Sequence, residues 1–143
     1  MLNERLVKFC NDNFKDRKLI LDKLNEYKKI LISENEKMNL IGRSTLEDID
    51  ERHFLDCIQI NKYLPHKEKV IMDIGTGAGL PGIILSIIGF HNLHLVEKSP
   101  KKSIFLENCK LRLNLNYHVH NKSIADLSNM SIDYITARAF API

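Results

Sequence analysis

The sequence has no tryptophan and only 3 cysteines and 4 prolines in 143 residues. Cys10, Cys57 and Cys109 are odd in number, far apart and outside any CxxC or Cys–His spacing. This excludes a disulfide framework and a zinc site, and it reads as reduced thiols in a cytoplasmic protein. A long apolar run is missing too. The stretch poorest in charge, 70–95, is interrupted by Asp73, Pro81 and clustered glycines, so it holds no spanning helix, and no membrane contact is expected. Met1-Leu2-Asn3-Glu4-Arg5 lacks a basic flank followed by an apolar core, so no signal peptide is expected. A large excess of one charge is also absent: 21 Lys plus Arg against 18 Asp plus Glu leave +3. Such a balance permits a polyanionic partner without demanding one.

What is present, 44% hydrophobic and 27% charged residues, is the mixture of an ordinary globular chain. A monomer is favoured. The pattern changes near Pro65, dividing the sequence into an N-terminal helical appendage, 1–65, and a core, 66–143. Ile20, Leu24, Tyr27 and Leu31 recur at steps of four, three and four, which predicts an amphipathic helix from about Lys18 to Asn35. Ser44 with Glu47, or Thr45 with Asp48, offers a capping box for a second helix from about Leu46 to Tyr63. The intervening 38–43 segment reads as a loop docked by its apolar residues.

Beyond Pro65, 70–74 is a short apolar run ending in glycines, as in a strand buried on both faces. Helix over 80–88, strand over 93–96, helix over 100–113, strand over 117–120, a helical turn over 124–127 and strand over 132–137 follow. This alternation predicts an α/β fold with a parallel, doubly wound sheet and helices on both faces. Its ligands belong at the carboxyl ends of the strands.

At the first such end lies Asp73-Ile74-Gly75-Thr76-Gly77-Ala78-Gly79-Leu80-Pro81-Gly82. Four glycines in eight residues exceed the needs of a turn and let bare backbone approach a ligand. The GxGxG spacing departs from the GxGxxG of dinucleotide folds, and no Walker lysine follows. Both facts disfavour a nicotinamide oxidoreductase. The spacing, with an acid two residues before it, suits S-adenosyl-L-methionine. Glu97 ends the second strand, 22 residues after Gly75, where a carboxylate can accept from both ribose hydroxyls; the competing reading is a surface acid beside Lys98. Asp73 either folds back onto loop amides or attracts the positive end of the cofactor. His53 and Asp56, three residues apart, share a helix face. They either dock the N-terminal helices or touch substrate. No nucleophile motif and no metal set appears, and no catalytic residue is assigned.

Asn39-Leu40-Ile41, Arg52-His53-Phe54-Leu55-Asp56, the glycine block through Gly82 and Ala137-Arg138-Ala139-Phe140-Ala141 occur in the order of the signature blocks of a known family. From about residue 18 onward the sequence resembles the bacterial small-subunit ribosomal RNA guanine-N7 methyltransferases, also called glucose-inhibited division protein B or methyltransferase G. The resemblance implies a class I, Rossmann-like methyltransferase fold and a methyl group moved from S-adenosyl-L-methionine to guanine N7 in 16S ribosomal RNA, naked or in the small subunit. It implies cofactor contacts from Gly75 and Leu80 of the glycine loop, in which Gly77 is a further candidate, and a ribose contact from Glu97. Ile124 and Ala125 would frame the adenine, Ala125 through its backbone because the family often has an acid there. Arg138 joins the same site.

Guanine N7 carries a lone pair and no proton, so the reaction needs alignment rather than a general base. Lys98, Lys101, Lys102, Lys110 and Arg112, or Lys15, Arg17, Lys18, Lys28, Lys29, Arg43 and Arg52 of the appendage, could meet RNA phosphates. The family continues past the fourth strand, so a shortened chain is expected, ending on an apolar tail and an unpaired strand edge. A non-catalytic remnant that keeps cofactor or RNA affinity is the alternative function.

Overall fold

The computed structural model describes residues 1–64, 66–127 and 130–138. Pro65, the expected boundary, and the Ala139-Phe140-Ala141 and Pro142-Ile143 segments that close the sequence lie outside the described residues.

The chain opens with a helix that the sequence reading did not anticipate, α1 (Glu4–Asn13). The Asn3 side chain caps it by accepting from Leu6 N at 2.9 Å. Leu6 and Cys10, one turn apart, are both fully buried. Helix α2 (Arg17–Asn35) follows, as the four-three-four spacing predicts, and buries Ile20, Leu24, Tyr27 and Leu31 together with Ile30. Tyr27 stacks on Phe54 with centroids 5.3 Å apart, and its hydroxyl donates to Ala78 O at 2.5 Å. The amphipathic stripe is thus also a tether to the glycine loop. A Tyr27→Phe variant is expected to lose about 1 kcal/mol of stability in urea titrations with an unchanged m value, since a buried carbonyl loses its donor.

The expected single helix over 46–63 is corrected. The segment comprises α3 (Arg43–Leu46), a π-helical stretch (Asp50–Leu55), α4 (Asp56–Ile58) and a 3-10 stretch (Gln59–Tyr63). Neither capping box forms. The Thr45 hydroxyl donates back to Gly42 O at 2.8 Å instead of capping a helix that starts after it. The wider π winding lets one short stretch hold two tertiary anchors. Asp50 takes Asn3 N at 2.5 Å and Lys28 Nζ at 2.9 Å, while His53 reaches Thr45 and Arg138.

Strands β1 (Ile71–Ile74), β2 (Leu93–Val96), β3 (His118–His120) and β4 (Tyr134–Ala137) form one parallel sheet in the order β3-β2-β1-β4. The chain runs outward from β1 to β3 and then returns to the other side of β1, which is the doubly wound order. β4 begins at Tyr134 rather than at the expected Ile132, because Asp133 is occupied in starting the pairing. Its Oδ2 accepts from Val70 N at 2.8 Å, and its own N–H donates to Val70 O at 2.9 Å.

Helix α5 (Gly82–Ile87) joins β1 to β2 and α6 (Pro100–Arg112) joins β2 to β3. α5 starts two residues later than expected, because Gly79 N and Leu80 N both donate to Thr76 O, at 2.8 and 3.2 Å, and close a separate turn. Ser99 caps α6, accepting from Lys102 N at 3.3 Å, and Pro100 occupies its tolerated first position. Both crossovers lead in the same direction across the sheet, so right-handed connection puts α5 and α6 on the same face. Contacts agree: a Cβ on Gly82 of α5 would meet Leu95 and Asp73, and Leu106 O of α6 accepts from the Tyr117 hydroxyl at 2.6 Å, so these two crossover helices lie on one face rather than one on each as expected. Ile71, Asp73, Leu93 and Leu95 point to that face and are all 0% exposed. One core runs unbroken from Leu6 through α2, the π segment and the sheet to Tyr117. Cys10, Cys57 and Cys109 are free and buried in it, and burial raises each thiol to about 11 or 12, leaving them unreactive.

Candidate functional site

The strand order reverses between β1 and β4, and the segments leaving both strands meet the N-terminal helices there. After β1 the chain turns through Gly75, Gly77 and Gly79 at φ of +61, +58 and +93°. The first two face open space: a Cβ on Gly75 would touch no protein atom within 4 Å, and one on Gly77 would meet only Gly75 O at 4.0 Å. At Gly79 a Cβ would collide with the Ile83 side chain, and at Gly82 with Leu95 and with Asp73 Oδ2 at 2.8 Å. The block therefore divides its labour. Gly79 and Gly82 let α5 pack close under the loop, whereas Gly75 leaves room above it.

Asp73 holds this shape. It is fully buried; Oδ2 accepts from the Thr76 hydroxyl at 2.5 Å and from Gly82 N at 2.9 Å, and Oδ1 from the Thr136 hydroxyl of β4 at 2.9 Å. Of its two possible roles, folding onto the loop is the one the geometry displays. Burial pushes its carboxyl up to about 6 even though all three hydrogen bonds pull the other way.

Glu97 faces the same loop from the end of β2. Oε1 accepts from Gly77 N at 2.8 Å and Oε2 from Ser99 N at 2.9 Å. It is not the solvated surface acid of the competing reading, being 7% exposed. Each oxygen keeps a lone pair beyond these bonds, enough for a pair of hydroxyls.

A cleft of about 810 Å³ opens between these groups and the N-terminal segment. Gly75, Gly77, Ala78, Glu97 and Lys102 line one part of it; residues 39–45 and His53 line the rest. Its size suits a nucleoside-containing ligand, and its walls combine bare backbone, one carboxylate and one imidazole. From sequence, residues 38–43 are expected to form a docked loop that carries the Asn39-Leu40-Ile41 block and Arg43, a candidate for RNA phosphate. Leu40 and Ile41 are indeed buried, and Asn35 Oδ1 binds both their amides, at 2.8 and 3.0 Å. That anchoring is what presents Asn39, Gly42, Arg43, Ser44 and Thr45 to the cleft. Their lining role has no signature in local spacing.

The remaining candidates lie elsewhere. Leu80 is 1% exposed and belongs to the core beneath the loop, so its side chain does not line the cleft. Ile124 and Ala125 sit in an exposed 3-10 turn after β3, outside the cleft lining. Arg138, just past β4, turns toward the π segment: Nη2 donates to Arg52 O at 2.7 Å and pairs with Asp56 Oδ2 at 3.3 Å, and Nη1 meets His53 Nδ1 at 3.0 Å. The shared face of His53 and Asp56 thus docks onto Arg138, while the His53 ring also borders the cleft.

Among the described residues no three His, Cys, Asp or Glu side chains are arranged to hold a metal ion, and no helix is long and apolar enough to cross a membrane.

Comparison with known proteins agrees with this architecture. The family model described as rRNA small subunit methyltransferase G matches residues 20–143. The chain is 38% identical over 123 residues to "Ribosomal RNA small subunit methyltransferase G" of Rhodospirillum rubrum, covering 86% of this chain and 61% of that protein. It is 37% identical over 122 residues to the protein of the same name from Rickettsia rickettsii, covering 85% of this chain and 63% of that one. For the Orientia tsutsugamushi protein of that name the identity is 32% over 138 residues, with 96% and 69% covered. The chain spans about six tenths of the length of the first of these relatives. With the family model matching most of the chain and the doubly wound sheet carrying its glycine loop, this protein belongs to the rRNA small subunit methyltransferase G family.

Proposed function

We propose that the cleft binds S-adenosyl-L-methionine and serves methyl transfer to N7 of a guanine in 16S ribosomal RNA, in the cytoplasm and as a monomer. The observation that carries the reading is the open space above Gly75, bordered by Glu97, whose two oxygens each keep an unused lone pair. The donor set fits the group: bare backbone for close approach, and a buried carboxylate for two ribose hydroxyls. Gly75 and Gly77 make the backbone contacts, with Asp73 and Leu80 supporting the loop from below. Ile124 and Ala125, in the exposed turn beyond the cleft lining, are the candidate adenine neighbours, Ala125 by its backbone, and Arg138 supports the site from the end of β4 through its contact with His53.

When bound, S-adenosyl-L-methionine supplies a methyl group already activated by its sulfonium. The protein's part is to exclude water and to hold the base in line with that methyl group, positioning that contributes roughly 7 to 11 kcal/mol. No side chain needs to remove a proton, so neither Glu97 nor His53, the carboxylate and the imidazole of the lining, is assigned a general-base role. Arg43 and Lys102, both lining the cleft, are placed to meet the phosphates of an RNA strand entering it.

Equilibrium dialysis against labelled S-adenosyl-L-methionine and against NAD, followed by methyl transfer to small-subunit RNA and particles with mapping at N7, tests the reading. Preference for the first ligand and label at guanine N7 are expected. Preference for NAD overturns the cofactor; binding with no transfer to either substrate assigns the non-catalytic role instead.

A further inference from the structure

The hydrogen bonds around His53 have a determined direction. Arg138 Nη1, which can only donate, lies 3.0 Å from His53 Nδ1, so Nδ1 is the acceptor there. In the neutral ring this leaves the proton on Nε2, which lies 2.8 Å from Thr45 Oγ1 and donates to it. The Thr45 hydroxyl proton is then free to be given to Gly42 O at 2.8 Å. The chain of bonds therefore runs one way, from Arg138 through His53 and Thr45 to Gly42, with no donor facing a donor.

The charges facing the ring maintain this state. Arg138 and Arg52 oppose a cationic imidazole, Asp56 favours one, and burial opposes it most strongly, so His53 titrates at about 4 instead of 6.5. At neutral pH the ring is uncharged and both its nitrogens are engaged, which leaves it nothing with which to act as a base in the cleft. Its links nevertheless join two parts of the fold that are distant in sequence: Arg138 at the end of β4, 85 residues from His53, and the 42–45 turn that lines the cleft.

We propose that His53 is a positioning residue, which transmits the place of Arg138 to the 42–45 turn and so fixes the width of the cleft in which the acceptor base lies. This rests on the reading of the cleft as the methyl-transfer site. In-line transfer is sensitive to such placement, since a displacement of about 1 Å can cost on the order of a hundredfold in rate. The sequence spacing pairs His53 with Asp56 but gives no sign that Thr45 and Arg138 flank the ring.

His53→Phe, which fills the space without polar atoms, and His53→Gln, whose amide offers one donor and one acceptor, are compared with the unaltered chain. Nitrogen-15 NMR of the unaltered chain is expected to show a bare Nδ1 and a protonated Nε2 from about pH 8 to 5; a cationic or Nδ1-protonated ring at pH 7 overturns the proposal. Amide exchange over residues 42–46 is expected to quicken in His53→Phe and to return in His53→Gln; equal exchange in all three overturns it as well. Methyl transfer by His53→Phe is expected to be at least about tenfold slower in kcat, with S-adenosyl-L-methionine affinity within about threefold and the Gln variant restored. A rate equal to that of the unaltered chain, or no rescue by Gln, counts against it. If the unaltered chain binds no S-adenosyl-L-methionine, the functional reading fails, whereas the NMR and exchange results still decide the role of His53.

Discussion

A Gly75→Val variant is expected to bind S-adenosyl-L-methionine at least about a hundredfold more weakly than the unaltered chain, by dialysis or calorimetry. Two effects act together. Gly75 sits at φ +61°, a conformation that a β-branched residue resists. The new side chain would also project into space above the loop where no protein atom lies within 4 Å of its Cβ. Gly75→Ala separates them: it keeps part of the strain and fills far less, so an intermediate loss is expected. The same pair of substitutions at Gly79 should behave differently, with folding stability affected before affinity, because a Cβ there meets the core side chain of Ile83. Unchanged affinity in Gly75→Val would remove this loop from the cofactor site.

The largest loss of stability is expected from Asp73→Ala, on the order of 3 kcal/mol in denaturant titrations. The substitution strips a buried amide, Gly82 N, and two hydroxyls, Thr76 and Thr136, of a shared acceptor. It also unties β1, β4 and the start of α5 from one another. Asp73→Asn keeps the shape and isolates the charge. Burial raises the Asp73 carboxyl from 3.8 to about 6, so the folded chain holds this proton more tightly than the unfolded one. The resulting stabilisation is fully present below pH 3.8 and is lost as the pH rises through 6; two units correspond to about 3 kcal/mol. His53 acts in the opposite sense. Its lowered value, about 4 against 6.5, gives stability that is present above pH 6.5 and lost as the pH falls through 4. Burial lowers His94 and His120 as well, in the same sense as His53, so between pH 4 and 6 the Asp73 slope opposes that of the histidines and offsets part of it. In Asp73→Asn the histidine slopes stand unopposed, so thermal melts should show stability falling more steeply on acidification across that window than in the unaltered chain. Parallel profiles for the two proteins would refute the raised Asp73 value.

How much of the site can be read in the sequence depends on the range of the interactions that make it. The glycine loop announces itself because a bare backbone at a strand end is a local property, legible in eight residues. Glu97 is nearly as legible: a strand's end fixes where its next side chain points, and Gly77 N lies within reach. Asp73 is half legible. Its position before the loop is local, but the choice between loop brace and cofactor partner depends on Thr136, which comes from another strand. The 46–63 helix fails for the same reason. Its residues favour helix throughout, while two anchors distant in sequence, Asn3 and Lys28 on Asp50 and Arg138 on His53, impose a π stretch and a break.

The sequence by itself determined the alternation of strands and helices, the doubly wound fold, the α2 stripe and the glycine-loop candidate. Each depends on residue types at fixed short spacings, where backbone preference and periodic burial act directly. The tertiary structure alone decided that residues 39–45 form part of the cleft wall, that Leu80 turns into the core, and that Arg138, His53 and Thr45 join in one directed series of hydrogen bonds. Those contacts span up to 85 residues and depend on β4 returning beside β1, a placement that no local period encodes.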